Sequence, residues 1–217
     1  IFIFRETQGT LMTHHTITRL LSTQAEQKPN TTIYYELGQD ESITAEMTYH
    51  QVHTRALQIA HALCEHTAEL DRVILLYHNS LDMVSAFFAC LYARRIAVPA
   101  YPLQSQRRSA NLTRLQHIIA DASPQLILGS TQTLSHLPST LSVATLDTSS
   151  IPPTAAQLTQ LPPIHNNDIA YLQYTSGSTQ SAKGVIISHH TINTNLAYEE
   201  DWQRPQPGRQ NITVNWV

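Results

Sequence analysis

The sequence is short of cysteine, of charge and of long apolar runs, and each shortage closes off a class of protein. Only two cysteines, Cys64 and Cys90, occur in 217 residues, too few for a disulfide-stapled secreted scaffold. Both fall inside apolar helical patterns and read as buried free thiols in a reducing cytosol. Charged residues make up 13% of the chain, against about 25% in an average domain. The formal net charge is -3 and no basic tract occurs, which leaves no electrostatic case for nucleic acid. The longest apolar helical run, Met83 to Ala93, is too short for a bilayer, and nothing resembles a cleavable signal peptide. These features predict a cytoplasmic protein with no transmembrane segment. Twelve histidines are present. Their tightest groupings, His50-x-x-His53, His14-His15 and His189-His190, lack the spacing of a zinc site, so no metal-ligating residue is assigned.

What the chain does have is a loop of small hydroxyl residues between two apolar runs. Ile169 to Tyr174 and Val185 to Ile187 read as strands, and between them stand Thr175, Ser176, Gly177, Ser178 and Thr179, then Lys183 and Gly184. Small side chains let backbone N–H groups point into one concavity, Gly177 permits the torsions such a nest needs, and Lys183 adds a positive charge. That is the composition of a polyphosphate clasp. Composition alone also fits an ordinary polar turn, so order and context must separate the two. A Walker A loop is excluded, because Ala182 stands where its second glycine belongs and Gly184 where its hydroxyl belongs. A serine-hydrolase elbow at Ser176 is disfavoured, because Tyr174 occupies the first glycine position of Gly-x-Ser-x-Gly.

The ordered run Tyr174-Thr175-Ser176-Gly177-Ser178-Thr179-Gln180-Ser181-Ala182-Lys183-Gly184-Val185 resembles the signature loop of the adenylate-forming superfamily. The usual pattern there is Tyr-Thr-Ser-Gly-Ser/Thr-Thr-Gly-x-Pro-Lys-Gly-Val, and this chain departs from it at Gln180 and Ala182. The missing proline leaves the backbone less stiff. The resemblance extends to Met47-Thr48-Tyr49 and to Ile96-Ala97-Val98-Pro99-Ala100-Tyr101-Pro102, which with Leu172-Gln173 are similar to fatty acyl-AMP ligases and long-chain acyl-CoA synthetases.

Along the chain, helical and strand patterns alternate, so βαβ units in an α/β fold with a mostly parallel sheet and flanking helices are expected. Residues 1–15, which do not open with methionine, read as a non-native or disordered start outside the fold. A helix from Thr16 stops before Pro29, and two strands follow around Gly38. Thr48 and Gln51 form a capping box for the next helix. Val73 to Tyr77 reads as a central strand, Met83 to Tyr92 as a helix apolar on nearly every side, and Ile96 to Ala100 as a strand. A helix over 111–122, short elements over 126–128, 131–137 and 143–146, and a proline-marked connector lead to the loop. A helix from about His190 to Glu200 and a strand over 211–217 close the chain.

The resemblance implies that residues 16–217 are the N-terminal part of an AMP-binding domain, ending before the acyl-pocket and C-terminal domains. It implies that a fatty acid carboxylate attacks the α-phosphorus of ATP, with Mg²⁺ present, giving acyl-adenylate and pyrophosphate. The acyl group then passes to an acyl carrier protein or CoA. On that reading Thr175, Ser176, Ser178 and Thr179 hold the β- and γ-phosphates, Gly177 and Gly184 allow backbone fit, and Lys183 neutralises charge. Tyr174 supports the loop, His189 caps the following helix, and the catalytic residues lie downstream of Val217. The competing reading is a degenerate nucleotide-binding or interaction module without turnover.

Overall fold

The computed structural model describes residues 2–6, 16–38, 40, 42–78, 80–103, 108–174, 183–202 and 211–215. Helix α1 (Ile17–Gln27) starts on the hydroxyl of Thr16, which accepts from the backbone N–H of Arg19. Strands β2 (Thr32–Leu37) and β3 (Ile43–Thr48) form an antiparallel pair. Helix α2 (Tyr49–His66) then begins on the capping box legible in the sequence: Thr48 Oγ1 accepts from Gln51 N, and Gln51 Oε1 accepts from Thr48 N. Phe2–Glu6, set aside above for want of a methionine, forms strand β1. Its phenylalanine and isoleucine run is strand-forming whatever precedes it. β1 lies between β2 and β10 (Asn211–Asn215) in a four-stranded antiparallel sheet ordered β10-β1-β2-β3.

The larger sheet has six strands, ordered β7-β6-β4-β5-β8-β9. These are β4 (Arg72–Leu76), β5 (Ile96–Ala100), β6 (Leu126–Gly129), β7 (Ala144–Asp147), β8 (Ile169–Tyr174) and β9 (Gly184–Ser188). All but β9 run parallel, and β9 returns antiparallel beside β8. β4 is central because Val73, Ile74, Leu75 and Leu76 are all 0% exposed. A strand apolar at every position can satisfy its side chains only with cover on both faces.

That cover comes from helices on either side. Val73, Leu75, Ala97, Leu126 and Ala170 face a core shared with α2 and with α3 (Leu81–Tyr92). Ile74, Leu76, Val98, Ile127, Leu172 and Tyr174 face the opposite core, built with Leu115, Ile118 and Ala122 of α4 (Arg108–Ala122). Full burial of each such aliphatic side chain contributes about 1.5–3 kcal/mol. Helix α5 (Thr131–Leu134) is shorter than the pattern over 131–137 suggests, and α6 (His189–Trp202) follows β9.

Two expectations change in detail. Cys90 is buried but Cys64 is exposed, because it falls on the outer side of α2 between the inward-facing Ala60 and Leu63 and the helix end. His189 does not cap α6: Ser188 does, its Oγ accepting from the backbone N–H of Thr191 at 3.1 Å. The last strand, β10, pairs antiparallel with β1.

Candidate functional site

The topology itself singles out one place on the large sheet. From the carboxyl end of β5 the chain crosses over β4, through α4, to reach β6. From the carboxyl end of its neighbour β8 it turns the other way, to the edge strand β9. Open α/β sheets bind ligands outside the carboxyl ends of strands where successive connections diverge in this way. Ala97 and Tyr171 are level in the β5–β8 pair, so Tyr101 and the loop after Tyr174 leave the sheet side by side.

Of the residues assigned to the clasp, Lys183 and Gly184 are described; Thr175, Ser176, Gly177, Ser178 and Thr179 lie outside the described residues, as do Gln180 and Ala182. Both ends of the loop are nonetheless defined. Tyr174 pairs with Gly184 across the β8–β9 ladder, so residues 175–183 leave from and return to one point on the sheet edge. Lys183 is exposed beside that point. A Cβ placed on Gly184 would meet Cζ of Tyr174 at 2.9 Å and its hydroxyl oxygen at 3.1 Å, so the Tyr174 ring occupies the space of the absent side chain.

Tyr174 is fixed at both of its ends by α4. Its hydroxyl donates to Asp121 Oδ2 at 2.5 Å, and its carbonyl accepts from Arg114 Nη2 at 2.9 Å. Burial first, and then the bond to Asp121, raise the Tyr174 pKa above the ordinary phenol range, so the hydroxyl remains a donor. The Arg114 guanidinium also lies over the Tyr101 ring, 5.4 Å from its centroid. Arg114 therefore touches the chain as it leaves both β5 and β8. Neither Arg114 nor Asp121 is visible as a site residue in the sequence. The only signal is their separation of seven positions, two helical turns, which sets both beside the apolar stripe of Leu115 and Ile118.

The other end of β8 is also pinned. Asp168, one residue before the strand, accepts from Arg94 Nε at 3.0 Å and Nη2 at 3.3 Å, while Arg94 Nη1 donates to Glu69 at 2.6 Å. Burial works to raise the Asp168 pKa, but the Arg94 and His165 hydrogen bonds outweigh it and leave the carboxyl below its usual range. The backbone N–H of His189 donates to the Asp168 carbonyl at 3.0 Å. The His189 ring is buried with no hydrogen-bond partner on Nδ1 among the described residues, and burial lowers its pKa. This cluster lies at the amino end of β8, opposite the loop, so His189 sits far along the strand from Lys183. Among the described residues no group of three or more His, Cys, Asp or Glu could hold a metal ion, and no helix is long and apolar enough to cross a membrane.

Comparison with known proteins bears on this arrangement. The profile of the family described as AMP-binding enzyme matches residues 21–214. A medium-chain-fatty-acid acyl-carrier-protein ligase of Moorena producens is 32% identical over 193 residues, covering 85% of this chain and 32% of the relative. A long-chain-fatty-acid AMP ligase of Mycobacterium marinum is 32% identical over 200 residues, covering 85% of this chain and 33% of the relative. Among solved structures, the fatty acyl-adenylate ligase of L. pneumophila in complex with acyl adenylate and pyrophosphate superposes with a TM-score of 0.78 at 33% identity. That likeness covers 88% of this chain and 33% of the other. The chain spans about a third of the length of these relatives. With the match running through nearly all of the large sheet and across both ends of the β8–β9 loop, the chain belongs to the family of AMP-binding enzymes.

Proposed function

We propose that this protein is a cytoplasmic ligase that activates a medium- or long-chain fatty acid with ATP and passes the acyl group to an acyl carrier protein or CoA. In the first step a carboxylate oxygen forms a bond to the α-phosphorus, and the bond from that phosphorus to the bridging oxygen breaks, releasing pyrophosphate. The observation that carries the reading is the placement of the hydroxyl loop: it opens from the carboxyl end of β8 at the divergence from β5 and closes on Gly184, with Lys183 exposed at its exit.

The role of these residues is positioning and charge neutralisation rather than covalent chemistry. Backbone N–H groups and the hydroxyls of Thr175, Ser176, Ser178 and Thr179 supply donors for the β- and γ-phosphates, and Lys183 supplies a countercharge. Mg²⁺, when bound to the triphosphate, would add further neutralisation. Two free thiols, Cys64 and Cys90, accord with a reducing compartment.

The test is fatty-acid-dependent ATP–pyrophosphate exchange by the full-length gene product, repeated with Lys183→Ala. Exchange with medium or long fatty acids is expected, and the variant should lose about a hundredfold in kcat/KM, the scale of one preorganised charge-stabilising donor. The departures at Gln180 and Ala182 favour the second reading, a nucleotide-binding module without turnover. ATP binding by the full-length protein, with no exchange for any fatty, amino or aryl acid, would establish that reading and defeat the ligase.

A further inference from the structure

The loop after β8 carries the assigned phosphate contacts, but the groups that set its two ends belong to a helix earlier in the chain. Arg114 donates to the Tyr174 carbonyl, the last described backbone acceptor before the loop. Asp121 accepts from the Tyr174 hydroxyl, and the ring so held stands where a side chain on Gly184 would be. One tyrosine thus joins the start of the loop to its end, and α4 holds that tyrosine at two points. Arg114 also covers Tyr101 at the exit of β5, so the same guanidinium relates the two chain exits at the divergence point.

We propose that Arg114 and Asp121 are positioning residues for nucleotide binding, acting through Tyr174 to fix where residues 175–183 leave and rejoin the sheet; the inference rests on the ligase reading above. Packing alone does not require these contacts. The apolar cover of this sheet face comes from Leu115, Ile118 and Ala122, whereas Asp121 is exposed and Arg114 half-buried. A charge-assisted hydrogen bond from a mostly buried phenol to an exposed carboxylate fixes a direction, which the core contacts of the ring do not. The family pattern stiffens this loop with a proline that Ala182 replaces here, so more of its placement falls to its ends.

The experiment is steady-state kinetics of the full-length protein with Asp121→Asn, Tyr174→Phe and the double variant. Each should raise the KM for ATP about tenfold, the scale of one lost charge-assisted hydrogen bond. The KM for the fatty acid should hold, and the double variant should match Tyr174→Phe alone, because without the tyrosine hydroxyl the side chain at position 121 has nothing to accept. Arg114→Gln should raise the KM for ATP as well. A wild-type enzyme that exchanges pyrophosphate normally while Tyr174→Phe and Asp121→Asn lower only the melting temperature, or raise both KM values equally, would overturn the positioning role and leave the ligase intact. A wild-type protein with no exchange overturns both. Tyr174→Phe removes a single oxygen and keeps the ring over Gly184, so it carries the test if Asp121→Asn does not fold.

Discussion

Gly184 and the Tyr174 ring compete for one volume, and the ring cannot swing away without breaking its bond to Asp121. Gly184→Ala is therefore expected to destabilise the full-length protein by about 1–3 kcal/mol, the usual cost of overpacking, as read by urea denaturation. A wild-type midpoint in that variant would mean that the ring has room to move. The two thiols differ as sharply. Cys90 is fully buried, and burial pushes its pKa up to about 12, so it carries little thiolate at neutral pH. Cys64 is exposed. A thiol reagent such as dithionitrobenzoate should modify Cys64 in the native protein and reach Cys90 only after denaturant is added; rapid native modification of Cys90 would contradict the packing of α3. The sequence placed both cysteines in apolar helical patterns, but which face of α2 turns inward depends on what packs there.

Among the elements, α2 has the most explicit start signal. Both hydrogen bonds of its capping box are present, and the helix supplies Val52, Ala56, Ile59, Ala60 and Leu63 to the core. Thr48→Ala should cost about 1 kcal/mol, measured as a shift in denaturation midpoint at constant slope, and an unchanged midpoint would show the cap to be dispensable. The helix also holds the proline-marked connector: Arg55 donates to the carbonyls of Thr148 and Ile151, and Gln58 to that of Pro153. Local signals of this kind were legible because caps, apolar periods and strand-forming runs act within a few residues. Helix α4 is the contrary case. Its apolar stripe was readable, yet the work of Arg114 and Asp121 depends on Tyr174, which lies 60 and 53 positions away respectively. No periodicity within the helix announces that meeting.

For the molecule as a whole, acid should act through two histidines, the half-buried His53 and the buried His189. His53, bonded through Nδ1 to the Tyr92 hydroxyl, has its pKa lowered by burial and by His50, with Glu26 opposing; His189 is lowered by burial, with Asp168 opposing. Both are held below the ordinary value of 6.5. The unfolded chain therefore takes up protons at a higher pH than the folded one, so stability is fully present above pH 6.5 and falls as pH drops toward the folded values. Asp168, lowered from 3.8, contributes in the same direction in more acid solution. Melting temperature should decline between pH 7.5 and 5.5 by about a few degrees, and His189→Gln should flatten the profile; a flat wild-type profile would refute the assignment. The sheet edge supplies a second prediction at this scale. β9 is the last strand of the large sheet, with Val185 48% and Ile186 62% exposed, a template for pairing with another chain. Expressed by themselves, these 217 residues should self-associate in light scattering, and Ile186→Lys should shift them toward monomer. A monomeric unmodified chain at high concentration would count against it.

The amino acids in order were enough to mark most of the helices and strands, the α/β class, the start of α2, and a run of small hydroxyl residues followed by a lysine and a glycine. Each of these is written in neighbouring residues, through periodicity, caps and runs of small side chains. Only the folded chain decided that β1 enters an antiparallel sheet with β10, that Cys64 faces outward, that Ser188 rather than His189 caps α6, and that α4 grips both ends of the loop through one tyrosine. Those outcomes join residues far apart along the backbone. They are settled when the sheet order brings strands and helices together, because a hydrogen bond or a filled volume depends on what stands opposite and not on what stands next in line.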